Sequence, residues 1–166
     1  MNPLISKIEA EMADALVSHK EVLGEVTLSV RREKVCDVLR LLHDAPELSF
    51  HHITDITAVD FPNEEPRFEM VYQLYSIEKN HRVRVKARVP EDDCTIDSAT
   101  GIWQGANFLE REVYDMYGIV FNNHPDLRRI LMTEDYNEGF PLRKDFPVEG
   151  FGWRDTFEFL EDDRKG

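Results

Sequence analysis

The 166-residue chain has little cysteine and no long apolar run. Its two cysteines, Cys36 and Cys94, stand far apart and cannot supply the four thiolates of an iron–sulfur cluster or an all-cysteine zinc site. Two unremarkable thiols in a reducing compartment are the expectation, with a disulfide as the alternative. No stretch approaches the roughly 18 consecutive apolar residues of a membrane helix. The first twenty residues mix Glu9, Glu11 and Asp14 with Leu4, Ile5, Ile8, Met12 and Leu16, which is neither a secretory signal nor a transit peptide. There is no glycine-rich phosphate loop, no dinucleotide fingerprint and no nucleophile elbow. Basic charge is also scarce: Lys plus Arg total 20 against 33 for Asp plus Glu, a net charge of −13 that argues against general nucleic-acid binding.

What is present is a globular composition, 42% hydrophobic with ten Phe, on a length that suits one core. Apolar residues at helical spacing predict an amphipathic helix over 3–18 and a second over 32–43, where Val35, Val38, Leu39 and Leu42 fall at i, i+3, i+4 and i+7. Ala45-Pro46 ends the second, because the residue before proline is pushed out of the helical region. Strands are expected over 25–30, 50–59, 68–77 and 81–89, the last two joined as a hairpin by Glu78-Lys79-Asn80. A loop and short turn cover 97–104. A last helix runs over 108–117, with Asn107 as N-cap, Glu110 in the capping-box position and Gly118 as its stop. This order gives an α+β class, with helices on one face of a mainly antiparallel sheet. From Gly118 onward Pro125, Pro141 and Pro147 punctuate only short apolar stretches. Residues 1–118 therefore read as the domain, and 119–166 as an extended arm that lies over it or over another protein.

Strand 81–89 carries Arg82, Arg84, Lys86 and Arg88 on one face and no acid. On so acidic a chain that face is a solvated edge or a docking surface. Edge cations discourage unwanted strand pairing, which favours the first reading. On helix 108–117, Glu110, Arg111, Glu112 and Asp115 read as a solvated polar face, with Arg111 and Asp115 an i, i+4 pair. A stand-alone enzyme using Glu110, Glu112 and Asp115 would lack any accompanying nucleophile or metal motif. His51 and His52 in a strand point to opposite faces and cannot chelate one metal together.

Three linked blocks carry a resemblance: Glu110-Arg111-Glu112-Val113-Tyr114-Asp115-Met116-Tyr117-Gly118-Ile119, then His124-Pro125-Asp126-Leu127-Arg128-Arg129-Ile130-Leu131, then Gly139-Phe140-Pro141-Leu142-Arg143-Lys144-Asp145-Phe146-Pro147. Together they strongly resemble the signature of the C subunit, or thirty-kilodalton subunit, of proton-translocating NADH:quinone oxidoreductase, respiratory complex I. The chain departs at Tyr136, where many relatives carry Trp, and in the longer link Asn137-Glu138. It looks like the bacterial form that is not fused to the D subunit.

The resemblance implies a non-catalytic structural and assembly subunit of the peripheral arm, on the cytoplasmic face of the bacterial cell membrane. It implies docking on the hydrogenase-large-subunit-like D subunit that helps form the quinone cavity. FMN, iron–sulfur clusters and quinone would belong to the assembled complex and none to this chain. The equivalent subunit of a membrane-bound hydrogenase, or of a deazaflavin- or ferredoxin-linked dehydrogenase, is the alternative. On this view Pro125, Pro141 and Pro147 lower the entropy lost on docking. Arg128, Arg129, Arg143 and Lys144 make charge-assisted bonds within or across the interface, with Glu110 and Glu112 as internal acceptors. Leu127, Ile130, Leu131 and Leu142 are apolar anchors, and Glu110, Arg111, Glu112, Asp115, His124, Pro141 and Asp145 complete the expected arm-fixing and partner-binding set.

Overall fold

The computed structural model describes residues 3–148. Their elements run α1 (Pro3–Glu11), β1 (Leu16–Val22), β2 (Glu25–Val30), α2 (Val35–Asp44), β3 (His52–Asp60), β4 (Phe68–Ser76), β5 (His81–Val89), β6 (Thr95–Asp97), α3 (Ala106–Tyr117) and β7 (Val120–Asn122). Strands β1 to β5 form one sheet in the order β1-β2-β5-β4-β3. Three of its pairings are antiparallel and β2–β5 is parallel. Val26, Leu28 and Val30 meet Val83, Val85 and Ala87 across that parallel pair, all buried. They join Leu4, Ile5 and Ile8 of α1, Val35, Val38, Leu39 and Leu42 of α2, and Ala106 and Val113 of α3 in one core. The alternate phase of each strand points away from the helices, so the sheet has one covered face and one open face.

The structure corrects several local expectations. The first helix stops at Glu11, not at 18, and the chain returns as edge strand β1. Leu23 and Gly24, both at positive φ (52° and 80°), make the tight turn to β2. β1 escapes sequence reading because nearly all of it is exposed and shows no alternation. β6 and β7 are a further addition; they pair in parallel and bury Ile96 and Phe121. The residues just past Gly118 thus contribute a strand before the arm begins. β5 is the middle strand, so its basic face is not an edge. Among the described residues no helix is long and apolar enough to cross a membrane.

Candidate functional site

Helix α3 is the spine to which the arm is fastened. Its apolar positions Val113 and Met116 are buried, as expected, and Gly118 ends it in the left-handed conformation, φ +78°. The Phe140 ring occupies the space that a Cβ there would need, 2.5 Å away, so the position demands glycine twice over.

The charged residues of α3 do not form a solvated face. Glu110, Arg111 and Asp115 are buried, and only Glu112 points outward. Nor is there a capping box. The N-cap position is Gly105, without a side-chain bond, and Asn107 lies inside the helix. Glu110 instead accepts from Ser98 Oγ at 2.6 Å and the Ala99 amide at 2.7 Å, tying the β6–α3 connection to the helix. Burial raises its carboxyl to about 7, against the opposing pull of those two bonds.

Arg111 and Asp115 turn to the arm and not to each other. Arg111 donates to the carbonyls of Arg128 and Arg129, each at 3.1 Å. Asp115 Oδ2 accepts the successive amides of Ile130, Leu131 and Met132 at 3.0, 2.7 and 2.8 Å. Its Oδ1 takes Arg129 Nη1 at 2.6 Å. Three consecutive N–H groups converging on one oxygen form an anion-holding nest. Burial pushes Asp115 upward, but the amides of Met132 and Ile130, Arg129 and the Leu131 amide together hold it below the usual carboxylate value. His124, its side chain fully enclosed, accepts the Asp126 amide on Nδ1, so Nε2 donates to the Asn107 carbonyl.

The C-terminal end of α3 is closed by the arm as well. The Leu142 amide donates to the Met116 carbonyl at 3.1 Å, and Arg143 Nε donates to the Tyr117 carbonyl at 2.7 Å. A cation there also suits the helix dipole. From this point a ladder of guanidinium groups and rings crosses to the sheet. Arg129 lies 5.2 Å from the Tyr136 centroid and 5.8 Å from Phe140, and Arg143 lies 4.7 Å from Phe140 and 5.0 Å from Phe68. Arg67 completes it, 5.1 Å from Phe68.

Arg67 is the second anchor. It grips Asp60 through two bonds of 2.7 and 2.8 Å, and also reaches Glu91 at 2.6 Å and Asp145 at 3.0 Å. The Lys144 amide adds a 2.7 Å bond to Asp60 Oδ2. The Arg67 guanidinium holds both Asp60 and Asp145 below the usual carboxylate range.

The expected set therefore divides. Arg111, Asp115, His124, Leu127, Arg129, Arg143 and Asp145 face the domain. Glu110 bonds the 98–99 connection and also lies 4.0 Å from Nε2 of the arm's His124, and Glu112 makes no ion pair among the described residues. Pro125, Arg128, Ile130, Leu131, Leu142 and Lys144 are exposed, and Pro141 is half-buried. Phe108 on α3 is exposed as well, at 61%. The part of the expected arm over 149–166 lies outside the described residues. Arg67, Asp60 and the Phe68 and Phe140 rings are additions to the expected set. Asp60 has a readable signal: it falls in the inward phase after Ile56 and Ala58, where a further apolar residue is due.

The buried carboxylates are held by backbone amides, arginine and, for Glu110, the Ser98 hydroxyl, with His124 Nε2 4.0 Å away. Among the described residues no group of three or more His, Cys, Asp or Glu could hold a metal ion. His51 packs edge-on against His43, with centroids 5.0 Å apart. Cys36 and Cys94 are free thiols, and burial pushes Cys36 up to about 12, far from a reactive thiolate.

Comparison with known proteins agrees with the three-block signature. Residues 28–152 match the family described as the respiratory-chain NADH dehydrogenase, 30 Kd subunit. The C subunit of the NADH-quinone oxidoreductase of Geobacter sulfurreducens is 51% identical over 150 residues, covering 90% of this chain and 91% of that one. The protein of the same name from Roseiflexus castenholzii is 46% identical, covering 89% and 84%. Among solved structures, the trypsin-resistant fragment (1-134) of Nqo5 superposes with TM-score 0.63 at 31% identity, covering 75% of this chain and 99% of that one. A chain of an archaeal membrane-bound sulfane sulfur reductase shares the fold, with TM-score 0.74 at 24% identity over 98% of this chain and 89% of its own. The chain belongs to the 30 Kd subunit family of the respiratory-chain NADH dehydrogenase.

Proposed function

We propose that this chain is a non-catalytic structural and assembly subunit of the peripheral arm of proton-pumping NADH:quinone oxidoreductase, docked on the D subunit at the cytoplasmic face of the membrane. One observation carries the reading. The arm directs its buried polar contacts inward, to α3 and Arg67, and leaves Leu131 (60% exposed) and Leu142 (49% exposed) facing outward. Apolar side chains held at fixed positions on a pinned, proline-restricted backbone bind with little further ordering loss. The chain itself would hold no cofactor; FMN, iron–sulfur clusters and quinone would sit in other subunits and support electron transfer from NADH. The alternative membership, in a hydrogenase or a deazaflavin- or ferredoxin-linked complex, draws only on a likeness of fold, whereas relatives near half identity carry the NADH-quinone oxidoreductase name.

The test is a Leu131→Asp/Leu142→Asp variant of the full chain, since both positions are exposed and the fold should survive. The expected result is loss of the chain from the complex purified out of detergent-solubilised membranes, with NADH:quinone activity falling in parallel and the melting temperature of the isolated chain unchanged. Retention of the variant in a fully active complex would overturn the docking surface.

A further inference from the structure

The open face of the sheet is a second charged surface that the arm does not use. The pairing registers set Lys20, Thr27, Arg84 and Gln73 side by side across β1, β2, β5 and β4. Lys86 and Arg88 are already neutralised there, by Glu69 at 2.7 Å and Glu64 at 2.8 Å. Lys20 and Arg84 have no carboxylate partner among the described residues, and Arg82 only lies over the Tyr75 ring at 5.6 Å. Arg31, Arg40, Lys79 and Lys144 also make no ion pair among the described residues, so what marks Lys20, Arg82 and Arg84 is that the strand registers gather them on one face of a chain of net charge −13. Edge protection accounts for Lys20 on edge strand β1 but not for Arg82 and Arg84, because β5 is the middle strand.

We propose that this face docks an acidic polypeptide segment of a neighbouring subunit, received by Lys20, Arg82 and Arg84. The surface is distinct from the arm, so the proposal goes beyond the function given above. Its shape and spacing favour a polypeptide. A groove of about 550 Å³ runs past Lys20, Val22, Leu23 and Arg84, and another of about 380 Å³ runs past Arg82, Tyr75 and Gln73. Alternate residues of a strand stand about 6.7 Å apart, so Arg82 and Arg84 match acids two residues apart on an extended chain. They match acids one turn apart on a helix nearly as well. A single small anion would meet only one of them. A flat lipid surface would meet the fully exposed Leu23 turn before the half-buried Arg84. The acids on this face are Glu25, Asp55, Glu64 and Glu69; Glu64 and Glu69 are engaged by Arg88 and Lys86, Glu25 lines both grooves beside Arg82, and Glu25 and Asp55 restrict where an acidic segment can lie. Thr27 and Gln73 add neutral hydrogen-bonding groups between the cations, and Val22, 48% exposed, adds an apolar rim.

The test places a photo-reactive p-benzoylphenylalanine at Thr27 in the full chain, within the enzyme purified from detergent-solubilised membranes. The expected result is a cross-link to an Asp- and Glu-rich segment of another subunit. Its yield should fall at least about fivefold in the Lys20→Glu/Arg84→Glu background and with added salt, while Arg84→Lys preserves it. Cross-links to lipid, to residues 149–166 of the same chain or to a neutral or basic segment would overturn the proposal. So would no cross-link at all with the chain present in the complex. Absence of the chain from the complex would instead defeat the function proposed above. The isolated full chain titrated with poly-L-glutamate at low salt then decides: binding weakened about tenfold by Lys20→Glu/Arg84→Glu supports the basic face, and equal binding overturns it.

Discussion

Asp115 accepts four donors from the arm, three amides and one guanidinium, while fully buried. Asp115→Asn keeps the shape but presents an amide group to that nest and leaves Arg129 without its counter-charge. A loss of about 3–5 kcal/mol is expected, of the size seen when one partner of a buried pair is removed. Urea unfolding measures it, and hydrogen exchange at 130–132 should accelerate most. Gly118→Ala combines a left-handed residue, costing about 1–2 kcal/mol, with displacement of the Phe140 ring, so protease cleavage within 123–148 should quicken. The buried acids have opposite pH signatures. Glu110 is raised from 4.5 to about 7, so its contribution is full below 4.5 and is lost as pH rises toward 7. Asp60, Asp115 and Asp145 are lowered, so theirs is present above the ordinary carboxylate value and is lost as pH falls through the depressed one. Denaturant titrations should show stability sloping downward between pH 4.5 and 7, and Glu110→Gln should flatten that slope.

At the scale of elements, the arm is a strap without a core of its own, held where its rings and guanidinium groups alternate. Phe140→Leu removes the face shared by Arg129 and Arg143 while keeping an apolar side chain. Each such contact is worth about 0.5–2 kcal/mol. The expected outcome is faster exchange over 123–148 with the sheet amides of β4 and β5 unchanged, which separates loosening of the strap from unfolding of the domain. Elements with strong periodicity are legible in the sequence: α2 through Val35, Val38, Leu39 and Leu42, and β5 through its unbroken alternation. β1 is not, because past Leu16 its residues are exposed and show no alternation. The polar side of α3 misleads for a related reason. Glu110, Arg111 and Asp115 look solvated to any local window, and what covers them arrives from residues 98–99 and 128–132. The three-block signature does mark where these contacts lie, but it does not divide inward from outward arginines.

Across the whole molecule, one side gathers the strapped helix and its outward leucines and the other presents the basic open sheet. The strand order β1-β2-β5-β4-β3 has a consequence for how the chain comes into being. β5 is made last of the five, yet it must slot between β2 and β4, pairing parallel on one side and antiparallel on the other. A nascent chain that has not yet released Val89 from the ribosome therefore carries two hairpins with facing bare edges and no completed core. Such non-local closure slows folding, and unpaired edges invite association with other chains. The window between synthesis of β2 and of β5 is when this protein most needs a chaperone.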